Sequence, residues 1–408
     1  MNFLSTFPDK ETLLKKYQKA PFDLNGHIHT PYSFSAFEDI DQVFAMAKKE
    51  NIKAVGINDF IVTDGHKPFH DAAKAAGVFP LFNIEFMGLL KEEQSKGIRV
   101  NDPSNPGRTY FSGKGLDLPT NPDGATKQLL QQVKQESNKQ TADMIEKLND
   151  YLRVVEAPFG LTYEEVKTLY AEDLVRERHI AKAVRRKVFE AFKDNGDRSA
   201  MLSILFSGKQ VQSALDDING LENEIRANLL KAGGPAYVEE DEAAFLEIDK
   251  IMDIIVKLGG IPCYPVLLDD KKGGFTEFES DFEKLRDTLA KRGIFSVELI
   301  PGRNDLQILK RFVQIFHEAG FVITFGTEHN TPELIPLKVD TRGQIDLDNE
   351  LKEISYLGAC VIAAHQYLRA KGEEGFVDDR GNVKKDQIEQ FRSLGAGVFN
   401  YYFATAAN

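Results

Sequence analysis

The chain has 408 residues, 42% of them hydrophobic and 28% charged, a composition that suits a globular protein with one large core or two ordinary ones. Its 51 Lys and Arg against 63 Asp and Glu give a formal net charge of −12, which argues against broad binding to nucleic-acid backbones. Two cysteines are too few for a disulfide framework, and neither a signal-peptide pattern nor an apolar run of roughly 20 residues is present, so we expect a cytoplasmic protein that does not bind membranes.

Short apolar runs alternate along the chain with amphipathic helical segments. The predicted strands are residues 54–59, 79–85, 260–264, 295–300 and 321–326. Predicted helices precede three of them, at residues 41–50, 281–292 and 306–319. This alternation predicts parallel βαβ units, and the nearly continuous apolar character of the strands predicts a sheet that is buried on both faces. The fold class that follows is α/β.

The stretch from residue 101 to residue 235 breaks that alternation. It opens with a Gly- and Pro-rich segment at 102–123, predicted as a loop, and continues in polar segments whose apolar residues recur every three or four positions, as at Met144, Leu148 and Leu152. We therefore predict a mostly helical insertion at 101–235, between a first part of the α/β domain at 1–100 and a second part at 236–408. The second part should end in a helix over 384–402 that is interrupted at Gly395.

Two histidines near the N-terminus, His27 and His29, carry the sharpest chemical signal. Residues two apart in a strand project to the same side, so the two imidazoles would point at one place. Zinc, manganese and iron all accept imidazole ligands. The pair taken alone leaves two interpretations open, a metal site or two surface histidines at a strand end.

Six short segments from residue 25 to residue 330 carry histidines, carboxylates and glycines in an ordered series. They are residues 25–33, 54–60, 83–85, 178–181, 259–265 and 326–330. In this order they resemble the signatures of the polymerase-and-histidinol-phosphatase (PHP) family of metal-dependent phosphoesterases, which run His-x-His-Thr-x-x-Ser, Thr-Asp-His, Gly-x-Glu, Pro-His-Ile-Ala, Gly-Gly-x-x-x-x-His-Pro and Gly-Ser-Asp-x-His. The resemblance implies a divergent member of the family with a distorted (β/α)7 TIM-like barrel.

The sequence departs from the family at the ligands of one metal. Family sites hold up to three metals, and one of them depends largely on an acid and two histidines. Phe34, Phe60 and Asn330 stand at those three positions. Phenylalanine cannot bind a metal, so we expect this position to be empty.

Two metal positions keep more of their ligands. The resemblance implies one position formed by His27, His29, Glu85 and either Glu328 or His329. It implies a second position that keeps Glu85 and His179 but has Tyr264 in place of a histidine. We therefore predict one or two divalent metals per chain, whether zinc, manganese or iron.

Other interpretations of these residues follow from local context. His179 lies among charged residues of a predicted helix, where a histidine is typically solvated or a capping residue. Glu85 ends an apolar strand, and a carboxylate is rarely buried there without a metal or a partner. We expect Asp59 to support catalysis with Glu85 by orienting a ligand histidine, and not to bind metal itself.

Three basic residues are candidates for binding a substrate phosphate. Arg108 and Lys114 lie among the glycines of residues 105–115, where backbone amides can approach an anion, and Arg303 follows a predicted strand. The segment lacks the spacing of a nucleotide P-loop, so ATP use is not implied. A mobile surface loop with incidental charge is the alternative.

The activity implied by the resemblance is metal-dependent hydrolysis of small phosphate monoesters, with a small anionic substrate as the partner. The lost ligands favour an alternative, a non-catalytic binding module that keeps one metal or none. A third possibility, a polynucleotide-processing module, is disfavoured by the charge of −12.

Overall fold

An eight-stranded, mostly parallel sheet curls into a barrel in the structure, a computed structural model that describes residues 2–16, 20–172, 174–270 and 272–406. The strands of this sheet are β1 (Leu24–Ile28), β2 (Ala54–Phe60), β3 (Phe79–Leu89), β4 (Arg108–Lys114), β5 (Leu246–Glu247), β6 (Ile261–Val266), β7 (Ser296–Leu299) and β8 (Val322–Phe325). A separate small hairpin pairs β9 (Asp340–Thr341) with β10 (Ile345–Asp346). Most residues of the seven wall strands are buried, as the apolar runs predict.

Seven strands form the wall of the barrel in the order β1-β2-β3-β4-β6-β7-β8, while β5 pairs with the end of β3. The two ends of this path meet, because Ile28 and Glu328 form a parallel bridge and the His29 N–H donates to the Glu328 carbonyl at 2.8 Å. The predicted α/β fold with a seven-stranded, distorted TIM-like barrel is confirmed.

Strand β4 corrects the predicted start of the insertion. Residues 102–123 were predicted as a loop opening a helical segment, but Arg108–Lys114 lies inside the wall, antiparallel to both β3 and β6. The 90–107 connection carries only the five-residue helix α4 (Lys91–Ser95), so no crossover covers the sheet and the chain returns antiparallel. Position 113 requires glycine, because Ile255 packs where a side chain at this position would lie.

Helices cover the outside of the wall. They are α2 (Ile40–Lys49), α3 (His66–Ala76), α10 (Ile248–Lys257), α11 (Phe282–Lys291) and α12 (Leu306–Glu318). Several begin at an aspartate that accepts a hydrogen bond from the first turn, such as Asp39 from the Gln42 N–H and Asp281 from the Lys284 N–H. Their apolar faces and the outer faces of the strands form one continuous core. The helices predicted at 41–50, 281–292 and 306–319 are therefore confirmed.

The amino-terminal end of the barrel is closed by α1 (Lys10–Lys15), α13 (Asn349–Ala370) and α14 (Ile388–Ala406), which share a second core. The predicted interruption at Gly395 was wrong, since α14 runs through it. Gly395 lies where the backbone of α14 crosses α13, and a side chain there would collide with the Cys360 carbonyl. The glycine permits a close crossing of two helices and does not end one.

The insertion is a bundle with its own core. Its helices are α5 (Gly124–Val154), α6 (Tyr163–Tyr170), α7 (Glu177–Ala191), α8 (Asn195–Leu205) and α9 (Ile218–Ile225). This bundle agrees with a mostly helical insertion, and its first helix begins at Gly124. No described helix combines the length and the apolar character needed to cross a membrane.

Candidate metal centre

Three buried side chains converge at the carboxyl end of the barrel strands: His27 on β1, His29 just after it, and Glu85 on β3. The Nε2 atoms of the two histidines are 3.4 Å apart, and Glu85 lies 3.5 Å from His29 and 3.9 Å from His27. Two ligand atoms at about 2.1 Å from one tetrahedral zinc ion are separated by about 3.4 Å. The spacing of these atoms therefore fits one divalent metal with a position left open for a substrate.

Glu298 on β7 fixes the orientation of His27. Its Oε2 lies 2.8 Å from His27 Nδ1, so Nδ1 carries the proton and Nε2 presents its lone pair to Glu85 and His29. A carboxylate behind a ligating histidine is the usual support of a metal site. Sequence reasoning did not select Glu298, although a carboxylate inside an apolar strand was a signal that could have found it.

Lys114 is fully buried inside the barrel, where its ammonium donates to Glu298 and, at 3.1 Å, to Asn58 Oδ1. The prediction that Lys114 binds substrate is therefore wrong, because β4 carries its side chain below the ligands and away from the cavity. Burial on its own raises the pKa of Glu298, but the Lys114 ammonium and His27 hold that pKa well below its usual value. Glu298 is accordingly an anion that is neutralised from within the protein.

Asp59 supports His29 through another residue. Its carboxylate accepts hydrogen bonds from the Thr30 N–H at 2.7 Å and from the Ser33 hydroxyl at 2.6 Å, and Ser33 Oγ lies 3.3 Å from His29 Nδ1. Burial raises the pKa of Asp59 to about 6 even though these hydrogen bonds oppose the rise. Asp59 thus holds the loop after β1, in the manner of the orienting residue that the sequence suggested.

Aromatic rings lie on one side of the three-residue cluster. Phe34 stacks on His29 with ring centres 4.7 Å apart, Phe60 lies 6.2 Å beyond it, and the Arg176 guanidinium lies 5.0 Å over Phe60. These two phenylalanines form an apolar wall beside His29. Among the described residues, the three-ligand cluster His27, His29 and Glu85 has no counterpart on this side.

His179 does not join the cluster. Its Nδ1 accepts a hydrogen bond from the Arg176 N–H at 3.0 Å at the start of α7, which leaves the proton on Nε2. In this tautomer the Nδ1 lone pair accepts the backbone hydrogen bond and Nε2 carries the proton, so the ring presents no free lone pair to a metal. The assignment of His179 as a ligand is corrected, and the capping interpretation describes the residue.

Glu328, and not His329, faces the centre. Glu328 lines the same cavity as His27 and pairs with Arg303. Both nitrogens of His329 are engaged elsewhere, with Thr327 Oγ1 at 2.7 Å and the Ile335 carbonyl at 2.8 Å. The prediction that His329 is a ligand is therefore wrong, whereas Glu328 remains an additional candidate beside the three-residue cluster.

Tyr264 belongs to a different network. Its hydroxyl donates to Glu279 Oε1 at 3.0 Å, and the same carboxylate accepts from the Leu267 N–H at 3.0 Å. Burial raises the pKa of Glu279 to about 8, although hydrogen bonds from Leu267, Tyr264 and Thr276 act in the opposite direction. The second metal position inferred from the sequence thus lacks both His179 and a ligand at residue 264.

The stability of the fold should depend on the ionisation of Glu279. Its pKa of about 8 lies above the ordinary value of 4.5, so its contribution to stability is fully present below about pH 4.5 and is lost as the pH rises towards 8. Between pH 5 and pH 8 the free energy of unfolding of the unmodified protein should fall as Glu279 ionises. In Glu279→Gln, which cannot ionise, this fall should be smaller by a few kcal/mol. Urea unfolding at the two pH values measures this. The exposed Glu283→Gln is the control, and equal pH dependence in all three proteins would refute the assignment.

A cavity of about 730 Å³ opens above the cluster, and residues of the barrel and of the insertion line it. Two of the predicted phosphate-binding residues reach it: Arg108, which pairs with Glu240 at 2.9 Å, and Arg303, which pairs with Glu328. The insertion adds further cations that sequence reasoning missed, namely Arg176, Arg178, Arg226 and Lys231.

Positive charge exceeds negative charge on the insertion side of the cavity. Arg226 and Lys231 both pair with the single carboxylate of Glu177, at 3.0 and 2.6 Å. Arg178 forms no ion pair with a described residue, and its recorded hydrogen bond is to Asn223 Oδ1 at 3.3 Å. Burial and the nearby Arg226 lower the pKa of Arg178 to about 10, so it remains a cation at neutral pH. This wall is therefore suited to an anionic ligand.

The PHP domain family model matches residues 25–196. The fold is similar to that of a proposed metal-dependent phosphoesterase from Bifidobacterium adolescentis, with 15% identity, a TM-score of 0.53, and coverage of 83% of this chain and 96% of that one. An amidohydrolase from Chromobacterium violaceum, solved with bound sulfate and no metal, gives 14% identity, a TM-score of 0.49, and coverage of 82% and 96%. No curated protein shows significant similarity.

The family match begins at Asn25, two residues before the first ligand, and extends into the insertion. It includes all three residues of the metal cluster, His27, His29 and Glu85. The barrel extends beyond the matched residues through β6, β7 and β8, and β7 supplies Glu298 behind His27. Residues 25–196 of the chain therefore match the PHP domain family.

Proposed function

We propose that the protein is a metal-dependent hydrolase of small phosphate monoesters. The observation that carries this proposal is the position of the His27, His29 and Glu85 cluster, at the floor of a cavity whose opposite wall has an excess of arginine and lysine. A metal site alone would suit many reactions. A cationic wall facing it selects an anionic substrate.

The residues of the cluster would hold one divalent metal, which supplies Lewis acidity towards a phosphoryl oxygen when bound. Glu298 keeps His27 in the tautomer that ligation requires, and Ser33 with Asp59 restrains His29. The barrel thus fixes the ligands before substrate arrives.

Charged groups of the cavity wall would orient the substrate. Arg178 has no carboxylate partner among the described residues, so its guanidinium is free to form a paired hydrogen bond with phosphate oxygens. Arg303 and Arg108 already pair with carboxylates, and we propose that they contribute charge around the substrate. Residues of the insertion line the same cavity, so their charges would face the substrate.

The name of the Bifidobacterium adolescentis protein, a proposed metal-dependent phosphoesterase, agrees with this proposal. The PHP family match also includes the ligand residues. The alternative is a binding module that holds a metal and an anion without turnover. The binding module is supported by the roles of His179 and Tyr264, because neither side chain is available to a metal and only His27, His29 and Glu85 cluster among the described residues.

The test is hydrolysis of a panel of small phosphate monoesters by protein stripped with a chelator and then supplied with zinc, manganese or iron. We expect turnover that requires the metal. Thermal stabilisation by metal and by inorganic phosphate, without hydrolysis of any monoester, would replace the enzyme with the binding module.

Arg178 provides a prediction on substrate binding. Removing its charge deletes a charge-assisted hydrogen bond of about 1.5–3 kcal/mol, so Arg178→Gln should lower kcat/KM by roughly 10- to 100-fold. Arg186→Gln is the matched control, since Arg186 is exposed on the same helix and does not line the cavity. Steady-state kinetics of both variants check the prediction. Equal kcat/KM in the two would remove Arg178 from the site.

A further inference from the structure

The buried Lys114 belongs to a hydrogen-bond network with Glu298, Asn58, Ser112 and His27. The ammonium of Lys114 donates to Glu298 and to Asn58. The Glu298 carboxylate also accepts hydrogen bonds from the Ser112 hydroxyl and from His27 Nδ1. All five side chains are almost completely buried. We refer to Lys114, Glu298, Asn58 and Ser112 as the internal cation cluster.

The register of the sheet places Lys114 and Asn58 one layer below Glu85, and it places Ser112 level with Glu85. Glu85 is opposite Ser112 across β3 and β4, and Asn83 is opposite Lys114. Side chains two apart on a strand share a face, so Ser112 and Lys114 both project into the barrel. Lys114 therefore extends upward from the layer beneath Glu85 to reach Glu298.

A fully buried ammonium is costly unless nearby groups compensate its charge. Here the Glu298 carboxylate and the Asn58 amide oxygen compensate the charge of Lys114, and the Ser112 hydroxyl donates to the same carboxylate. Carboxylate and amide oxygens are also the donors that hard divalent cations take, and Glu298 joins them to a metal-ligand histidine. The donor set beneath the site would thus suit a second divalent ion, and an ammonium group occupies it.

We propose that Lys114 takes the place of a second metal ion and restricts the centre to a single divalent metal. This inference rests on the proposed function, because it requires that His27, His29 and Glu85 bind metal. Lys114 is a positioning residue in this account. It neutralises Glu298 without competing for His27, so Glu298 remains available to orient the imidazole.

The experiment is the number of Mn²⁺ or Zn²⁺ ions bound per chain at saturation, measured by equilibrium dialysis and elemental analysis. The unmodified protein should bind about one. Lys114→Ala removes the ammonium and leaves space beside Glu298, so its metal content should double. Lys114→Met is the matched control, since it removes the charge but fills the space, and it should bind about one.

The double variant Lys114→Ala with Glu298→Gln lacks the carboxylate and should return to one ion per chain. Unchanged metal content in a folded Lys114→Ala would overturn the inference. Two ions bound to the unmodified protein would also overturn it, and that measurement does not depend on the folding of any variant. Two ions in the unmodified protein would leave the proposed function standing. No ion in the unmodified protein or in Lys114→Ala would overturn both.

Discussion

Glu85→Gln should reduce kcat/KM for phosphate monoesters by at least roughly 100-fold, which is the upper end of the loss seen when only a supporting residue of a metal site is removed. Glu85 supplies the only carboxylate of the three-ligand cluster, at 3.5 and 3.9 Å from the two histidines. Glutamine has the same size but no charge, so the metal loses its anionic ligand. The bound metal and the steady-state rate should fall together.

The control for this variant is Glu92→Gln, which makes the same chemical change at an exposed residue of α4. Circular dichroism should be unchanged in both proteins. If Glu85→Gln kept full metal content and full kcat/KM, the cluster would not be the catalytic centre.

The largest expected effect on stability is that of Glu298→Gln. This change leaves the buried Lys114 ammonium without its carboxylate, and breaking one side of a buried ion pair costs about 3–5 kcal/mol. Denaturant unfolding measures the loss in free energy of unfolding. Glu247→Gln breaks the exposed pair of Glu247 with Lys91 at 2.7 Å and should cost less than about 1 kcal/mol.

A second variant identifies the cause of this loss. Lys114→Met combined with Glu298→Gln removes both charges, and it should recover most of the stability that Glu298→Gln alone loses. If the double variant were as unstable as the sum of its two single changes, the pair would not be coupled. Glu298 would then act mainly through packing or through His27.

The sequence predicted the barrel strands well where they were apolar and failed where they were not. The runs at 54–59, 295–300 and 321–326 are strands because they are buried on both faces. Strand β4 reads Arg-Thr-Tyr-Phe-Ser-Gly-Lys, and its polar inward residues resemble a loop in composition. Those polar residues are buried only because the barrel interior supplies Glu298 and Asn58 as partners, which no local pattern reveals.

The site was predictable to the extent that its ligands are close in sequence or end an apolar strand. His27 and His29 follow from two-residue spacing, and Glu85 from a carboxylate at a strand end. The role of Arg178 depends on how the insertion packs over the barrel, which the sequence does not specify. His179 was misassigned because a motif match cannot show which way a ring faces, and here its Nδ1 caps α7.

The most direct test of the account is reactivation of the metal-stripped protein by metal titration, with hydrolysis of a phosphate monoester followed at each addition. Activity should be absent at the start, rise linearly, and reach its plateau at about one equivalent of metal per chain. Hydrolysis that persists in the stripped protein, or that never appears at any metal concentration across the substrate panel, would contradict a metal-dependent hydrolase built on His27, His29 and Glu85.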